Sequence, residues 1–150
     1  MTDELSKRRL RAWLRLLRVT RGTENHLREF LRVNHATTLP RFDVMAALHR
    51  AGEPMKMSAL SRQLLVSNGN ATAVVSRLEQ EGLAQRSSGP DDGRVVMVDL
   101  TDKGRAAFEE QAKVHSAEID RIFAALGDAE LDALRDLTRR IEGDGVDRGD

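Results

Sequence analysis

The chain has 150 residues, of which 40% are hydrophobic and 32% charged, a balance typical of a soluble, helix-rich single domain spanning 1–150. It contains no cysteine, which excludes disulfides and thiolate metal sites, and no apolar run or leader pattern predicts a membrane span or secretion, so a cytoplasmic protein is expected. The formal net charge is 0, yet Lys and Arg outnumber Asp and Glu by 11 to 5 in residues 1–50 and are outnumbered 8 to 13 in residues 101–150.

Helical periodicity dominates the first third of the chain. Apolar residues recur at helical spacing from about Leu5 to Val33, which predicts one long helix with a basic outer face over 5–34. A second helix is predicted in TLPRFDVMAALHRAG, where Thr38 is the cap and Gly52 follows the end.

The middle third combines short helices with extended segments. Residues 55–57 (MKM) are predicted to be extended, and Ser58 is predicted to cap a brief helix, ALSRQLL. After the turn VSNG, apolar residues at i, i+3, i+4 and i+7 from Ala71 predict a helix that stops at Gly82. LAQRSS and VVMVDL are predicted strands joined by a Gly/Pro/Asp cluster, the pattern of a β-hairpin.

The last third is predicted to be helical again. Thr101 is the expected cap of a long helix that ends at Gly127, and Asp128 is the expected cap of a final helix, so that helices fill 101–142. Residues 143–150 are polar and glycine-rich, which predicts a flexible tail. The predicted fold class is therefore mainly α with a small β-hairpin.

The two helices around LLVSNG have the spacing of a helix-turn-helix, and the hairpin that follows makes a winged one over 38–100. Short donors and acceptors that can pair with base edges in the major groove lie on the outer and N-terminal side of the second helix. These candidate DNA contacts are Ser67, Asn68, Asn70, Thr72, Ser76 and Arg77, with Gly69 and Ala71 keeping that end slim. The alternative is an ordinary exposed helix start, where Ser and Asn are common caps.

From about Leu5 to Ile141, the sequence resembles the MarR (multiple antibiotic resistance regulator) family of winged-helix transcription factors. The most specific match is DDGRVVMVDLTDKG, in which the positions of the family's wing pattern are occupied by Asp92, Arg94, Leu100, Thr101 and Gly104. RLEQEGL and TLPRFDVMAAL also resemble family segments, whereas Gly93 stands where many members carry a second arginine.

The resemblance implies a homodimer in which the helices of 5–34 and 101–142 from both subunits pack together and two winged modules meet a pseudo-palindromic operator. We expect Arg94 to enter the minor groove, where narrow A·T tracts attract arginine, with Asp92 orienting its guanidinium. Arg62 and Gln63, together with Lys56 and Arg86, are candidate phosphate contacts.

The resemblance also implies a ligand-relieved repressor, because family members are often released from DNA by small anionic aromatics. The candidate ligand contacts are Trp13, His35, Arg41 and His115. Each has a structural alternative: Trp13 as a core residue, His115 as an interface histidine and Arg41 as a surface residue near a helix start. The similarity is greatest to a branch that controls aromatic-compound catabolism, with efflux as a second role, and it implies an aromatic carboxylate or an aromatic acyl-CoA as effector.

Other classes of function find less support in the sequence. The four histidines lack metal-ligand spacing, and neither a carboxylate pair nor a glycine-rich phosphate loop is present, so no enzyme, metal site or cofactor is predicted. The remaining alternative is a winged helix used for protein contact, since such modules do not all bind DNA. Arg94 and the polar helix face favour DNA.

Overall fold

The computed structural model describes residues 3–144, which form helices and one small antiparallel sheet. The elements in chain order are α1 (Glu4–His35), α2 (Leu39–Ala51), β1 (Met55–Lys56), α3 (Met57–Gln63), α4 (Asn68–Gln80), β2 (Ala84–Ser88), β3 (Val96–Leu100), α5 (Asp102–Ile122) and α6 (Asp128–Asp144). The chain divides into two compact units, Met1–His115 and Ser116–Asp150.

Helix α1 has 32 residues, so it is about 48 Å long at 1.5 Å per residue. Its buried residues are Leu27 and Leu31, both in the last third of the helix. The helix ends at His35, and the residue after it, Ala36, adopts a left-handed φ of 50° and donates its backbone N–H to Leu31 O.

Helix α2 is the central helix of the first unit, and its predicted ends are confirmed. The Thr38 hydroxyl oxygen accepts from Arg41 N at 3.3 Å, and Gly52 terminates the helix with φ of 68°. Around it lies a core of fully buried side chains from α1, α2, α3, α4 and β3, namely Leu31, Met45, Leu48, Leu60, Val75, Leu78 and Val98.

Helix α3 starts two residues earlier than predicted, at Met57 and not at Ala59. The extended segment β1 leads directly into the helix at Met57, and Lys56 holds the N-cap position without a side-chain cap bond. Met57 is buried, so the chain must already turn inward there, and Ser58 lies within the helix and is not its cap.

The predicted hairpin is confirmed, and β1 extends it to three strands in the order β1–β3–β2. Strand β2 pairs with β3 from Ala84↔Leu100 to Ser88↔Val96, and β1 pairs through Met55↔Val98. Val98 and Leu100 point into the core, whereas the residues of β2 after Ala84 are exposed. The sheet therefore has one buried face and one solvent face.

The start of α5 is held tightly against the chain before β2. The Thr101 backbone N–H donates to Leu83 O at 3.1 Å, its hydroxyl donates to Gly82 O at 2.6 Å, and the same hydroxyl oxygen accepts from Gly104 N at 3.0 Å. A Cβ atom on Gly104 would lie 1.8 Å from Leu83 O, so this approach requires glycine.

The C-terminal helices differ from their predicted ends. Helix α5 stops at Ile122 and not at Gly127, because Ala124 N and Leu126 N bond to carbonyls three residues back in a tighter turn. Gly127 O accepts the first bond of α6, so Asp128 is the first helical residue and not its cap. Helix α6 continues to Asp144, into the predicted tail, and 145–150 lie outside the described residues.

Candidate nucleic-acid interface

A short turn sets the angle between α3 and α4. Leu65 adopts a left-handed φ of 57°, and Val66 N donates to Ser61 O at 3.0 Å, which closes the turn. Ser67 then caps α4, since its hydroxyl oxygen accepts from Asn70 N at 3.1 Å. Leu65 is 89% exposed, so packing of its side chain does not offset the cost of this backbone conformation.

Helix α4 has one buried and one exposed side. Ala71, Val75 and Leu78 are buried at i, i+4 and i+7, which anchors the helix in the core. On the solvent side, Asn70 and Arg77 are exposed, and small residues lie between them. Ala71 therefore belongs to the core, and the prediction that it keeps the outer side of the helix narrow is wrong. Gly69 and Ala73 are the small residues that face outward.

Several of the predicted DNA contacts are engaged within the helix-turn-helix. The Asn68 side-chain oxygen lies 2.7 Å from the Ser61 hydroxyl, which joins α4 to α3. The Thr72 hydroxyl donates to Asn68 O at 2.7 Å, within α4 itself. Among the described residues, the Asn70 side chain has no such hydrogen bond. Of these three side chains at the start of α4, Asn68 and Thr72 stabilise the helix start, and Asn70 faces solvent.

Arg77 belongs to a charged cluster that ties α4 to α2 and α5. Glu81 Oε1 accepts from Arg77 Nε at 3.2 Å and also from the Arg41 guanidinium at the start of α2. Lys103 Nζ donates to Glu81 O at 3.0 Å. Arg41 is mostly buried, whereas the Arg77 side chain is 64% exposed and remains accessible to a phosphate or a base.

The loop between β2 and β3 presents a single arginine at its tip. Asp92 O accepts from Val95 N at 3.1 Å, which makes a tight turn with Gly93 and Arg94 in its centre. Asp92 Oδ1 accepts from Arg94 N at 2.9 Å and lies 3.4 Å from Arg94 Nε, while the Arg94 side chain is 94% exposed. Asp92 thus contacts both the backbone and the guanidinium of Arg94, and the arginine points into solvent.

The candidate phosphate contacts fall into two groups. Arg62, Gln63 and Lys56 are exposed on or beside α3. Arg86 is engaged by Glu79, whose carboxylate accepts from Arg86 Nη2 and from Arg86 N, both at 3.0 Å. These side-chain and backbone hydrogen bonds lower the pKa of Glu79, so Arg86 is paired with a stable carboxylate.

The predicted ligand contacts do not form one site. Trp13 is exposed in the first half of α1, far along the helix from His35 at its end. His115 stacks on Phe42 with a ring-centroid distance of 4.3 Å, and burial lowers the pKa of its imidazole. Of these residues, Arg41 alone lines a described cavity.

That cavity has a volume of about 700 Å³ and lies between α1, the start of α2 and α4; we call it the arginine cavity. Its charged lining consists of Arg28, Arg32, Arg41 and Arg77, and its apolar wall is formed by Pro40, Ala73 and Val74. Arg32 is paired with Glu29, and Arg28 bonds Asn25. Arg28 and Arg32 were not among the predicted contacts, although basic residues four apart beside the buried Leu27 and Leu31 indicate a shared helix face.

Two kinds of feature are absent from residues 3–144. No helix in this range is long and apolar enough to span a membrane. No three His, Asp or Glu side chains of the same range come together as a group that could hold a metal ion.

Comparison with known proteins identifies the arrangement. The sequence profile of the MarR family matches residues 37–96. The HTH-type transcriptional regulator MhqR of Bacillus subtilis is 26% identical over 137 residues, which cover 91% of this chain and 93% of MhqR. The uncharacterized HTH-type transcriptional regulator YkoM of the same organism is 33% identical over 106 residues, which cover 71% of this chain and 68% of YkoM.

Solved structures agree with the sequence relatives. The crystal structure of Sco3205, a MarR family transcriptional regulator from Streptomyces coelicolor in complex with DNA, has a TM-score of 0.85 and 21% identity, and the match covers 100% of this chain and 96% of that one. The winged helix-turn-helix fold, the match to the family profile and the similarity to known regulators all indicate the same family. The chain belongs to the MarR family of DNA-binding transcriptional regulators.

Proposed function

We propose that the chain is a ligand-relieved repressor that binds a pseudo-palindromic operator as a homodimer. One observation carries the DNA part: a recognition helix anchored by its apolar side presents small residues, Arg77 and Asn70 on its outer side, and the Asn70 side chain makes no hydrogen bond within residues 3–144. The DNA complex of the structural neighbour Sco3205 supports this use of the fold.

Asn70 and Arg77 are the proposed base readers. An asparagine amide can pair with adenine and an arginine with guanine, and the small Gly69 and Ala73 allow α4 to approach the groove closely. Arg77 can exchange Glu81 for DNA, because an ion pair with 64% of the arginine exposed is weak. Arg94 at the wing tip is proposed to enter the flanking minor groove.

Dimer formation is inferred from apolar residues that a single copy leaves in water. On α1, Leu10, Trp13 and Leu14 are 57%, 55% and 53% exposed, and on α6, Leu137 and Ile141 are each 54% exposed. Apolar residues at helical spacing along a surface normally lie against a partner. A two-fold dimer joined through α1, α5 and α6 would cover them and would present two recognition helices to two half-sites.

The effector is proposed to be an aromatic carboxylate bound in the arginine cavity. Guanidinium groups bind carboxylates strongly, and the wall of Pro40, Ala73 and Val74 suits an apolar ring. Because Arg77 and Ala73 belong to α4, an anion bound there would act on the recognition helix itself. Regulation of aromatic-compound catabolism or efflux is the role that fits such an effector.

The DNA part is tested with two asparagine variants that differ in their contacts. Fluorescence anisotropy is measured on a duplex from upstream of the protein's own gene and on a shuffled duplex. Asn70→Ala should reduce discrimination between the duplexes by roughly 10- to 100-fold, since one lost base contact costs about 1–3 kcal/mol, and should leave the melting temperature unchanged. Asn68→Ala should lower the melting temperature, because it removes the bond to Ser61. Unchanged discrimination in Asn70→Ala would exclude Asn70 as a base reader.

The effector part has a separate test. Phenylacetate binding is measured by calorimetry on wild-type protein, on Arg28→Ala and on the control Arg50→Ala, which changes an exposed arginine outside the cavity. Phenylacetate should bind wild type and Arg50→Ala equally, bind Arg28→Ala at least several-fold more weakly, and lower the affinity for operator DNA. Equal binding by Arg28→Ala, or no effect on DNA, would contradict the effector proposal and leave the DNA proposal intact.

A further inference from the structure

A second cavity lies against the recognition helix on the other side of a shared wall. It has a volume of about 360 Å³ and is formed by α2, the turn after α3 and α4. Pro40, Ala73 and Val74 line both this cavity and the arginine cavity. We call it the Asp43 cavity, after the one charged residue in its lining.

The lining of the Asp43 cavity is opposite in charge to the lining of the arginine cavity. Apart from Asp43 and Asn70, the wall is apolar, with Val44, Leu64, Val66, Ala71 and the three shared residues. Such an apolar pocket with few polar groups is the usual form of a small-molecule site. Its size suits a ligand with one aromatic ring and a short chain.

The Asp43 carboxyl is unpaired within the part of the chain that the structure describes. Among the described residues, its carboxyl receives no hydrogen bond and pairs with no cation. Asp43 is exposed at the edge of the cavity, where neighbouring groups still remove part of the water around its carboxyl and raise its pKa, and the nearby carboxylate of Glu24 raises it further. A cation placed beside Asp43 would offset both the loss of water around its carboxylate and the repulsion from Glu24, whereas an anion would add a third negative charge.

We propose that the Asp43 cavity binds a protonated aromatic or aliphatic amine, with the ammonium group against the Asp43 carboxylate and the apolar body against Val66 and Val74. The ammonium donates hydrogen bonds to a carboxylate that receives none from residues 3–144, and the body covers apolar side chains that border the cavity. The recognition helix thus lies between two ligand sites of opposite charge preference.

Asn70 links this site to DNA binding. Its side chain lines the Asp43 cavity and belongs to the proposed DNA-reading face, so a bound amine would alter the contact of Asn70 with a base. This consequence rests on the proposed function, whereas binding of the amine does not. The binding test therefore contains no DNA, and its failure is distinguishable from failure of the operator proposal.

The experiment compares two probes of nearly equal shape, 2-phenylethylammonium and 2-phenylethanol, by calorimetry on the full chain at pH 7.5. Wild-type protein should bind the ammonium roughly tenfold more tightly than the alcohol, as expected for a charge-assisted hydrogen bond that is partly exposed to water. Asp43→Asn should abolish this preference, and the control Glu53→Gln, which neutralises an exposed carboxylate outside the cavity, should retain it.

A cavity-filling variant locates the site. Val66→Phe occupies the apolar side of the cavity from a position that is 43% exposed, so the fold should tolerate it, and it should weaken both probes several-fold. Equal affinity for the two probes in wild type, no binding of either, a preference that survives Asp43→Asn, or unchanged binding by Val66→Phe would each overturn the proposal.

Discussion

Gly104→Ala should destabilise the protein strongly, because α5 touches the preceding chain at this point. The added Cβ would lie 1.8 Å from Leu83 O, and ordinary contacts to a Cβ are longer than 3.0 Å. The obstructing atom belongs to the backbone, so relief requires α5 to move by more than an ångström. That movement stretches the bonds from Thr101 N to Leu83 O and from the Thr101 hydroxyl to Gly82 O.

The magnitude follows from these contacts. Loss of two hydrogen bonds costs about 1–3 kcal/mol, and overpacking costs about 1–3 kcal/mol. Alanine recovers about 1 kcal/mol through its better helix propensity. The net loss in the free energy of unfolding is therefore about 1–5 kcal/mol, which corresponds to a decrease of roughly 2–20 °C in melting temperature for a chain of this size.

The assay is urea unfolding followed by circular dichroism at fixed protein concentration, since association adds stability by mass action. Gly69→Ala is the matched control: it also changes a helical glycine, but the nearest atom to its Cβ is Ser67 Oγ at 4.0 Å. This control should unfold at the wild-type urea concentration or slightly above it. Equal stability of Gly104→Ala and Gly69→Ala would refute the close approach of α5 to Leu83.

Three further predictions concern the wing, a half-buried histidine and the proposed dimer. Arg94→Ala should lower DNA affinity for all sequences and reduce the slope of log affinity against log salt concentration by about one. Gly93→Arg, whose Cβ would meet nothing within 4 Å, should raise the same slope by about one. DNA titrations from about 50 to 300 mM salt measure both slopes. Burial lowers the pKa of His115, so its contribution to stability is complete above the ordinary value of 6.5 and is lost as pH falls below it; His115→Gln should flatten this dependence in urea unfolding between pH 7.5 and 5.5. Trp13→Glu should convert a dimer into monomers in sedimentation velocity, and an unchanged mass would contradict the proposed interface.

Local chemistry made much of the fold predictable from sequence. The cap at Thr38, the stop at Gly52 and the apolar spacing of α4 depend on neighbours within a few residues, and the structure has them as predicted. The hairpin was likewise signalled by two strand-like segments around a Gly/Pro/Asp turn. The short strand β1 was predicted only as an extended piece, because its partner β3 is some forty residues away.

The candidate site was less predictable, because its decisive contacts join distant segments. No local pattern places Arg41 against Glu81, which lies 40 residues further along the chain. No local pattern predicts the hydrogen bond that the Asn68 side chain accepts from the Ser61 hydroxyl across the turn either. Ala71 was assigned to the outer side although it starts the apolar spacing that buries α4, so helical periodicity alone would have placed it correctly.

If the chain is an operator-binding homodimer, it should bind one short duplex with defined stoichiometry and sequence specificity. A duplex from upstream of the protein's own gene and a shuffled duplex of equal composition are titrated at 150 mM salt, with the mass of the complex measured by analytical ultracentrifugation. We expect two copies of the chain per duplex and an affinity at least about 1,000-fold higher for the upstream duplex. Equal affinity for both duplexes, or a single copy on the preferred one, would contradict the claim.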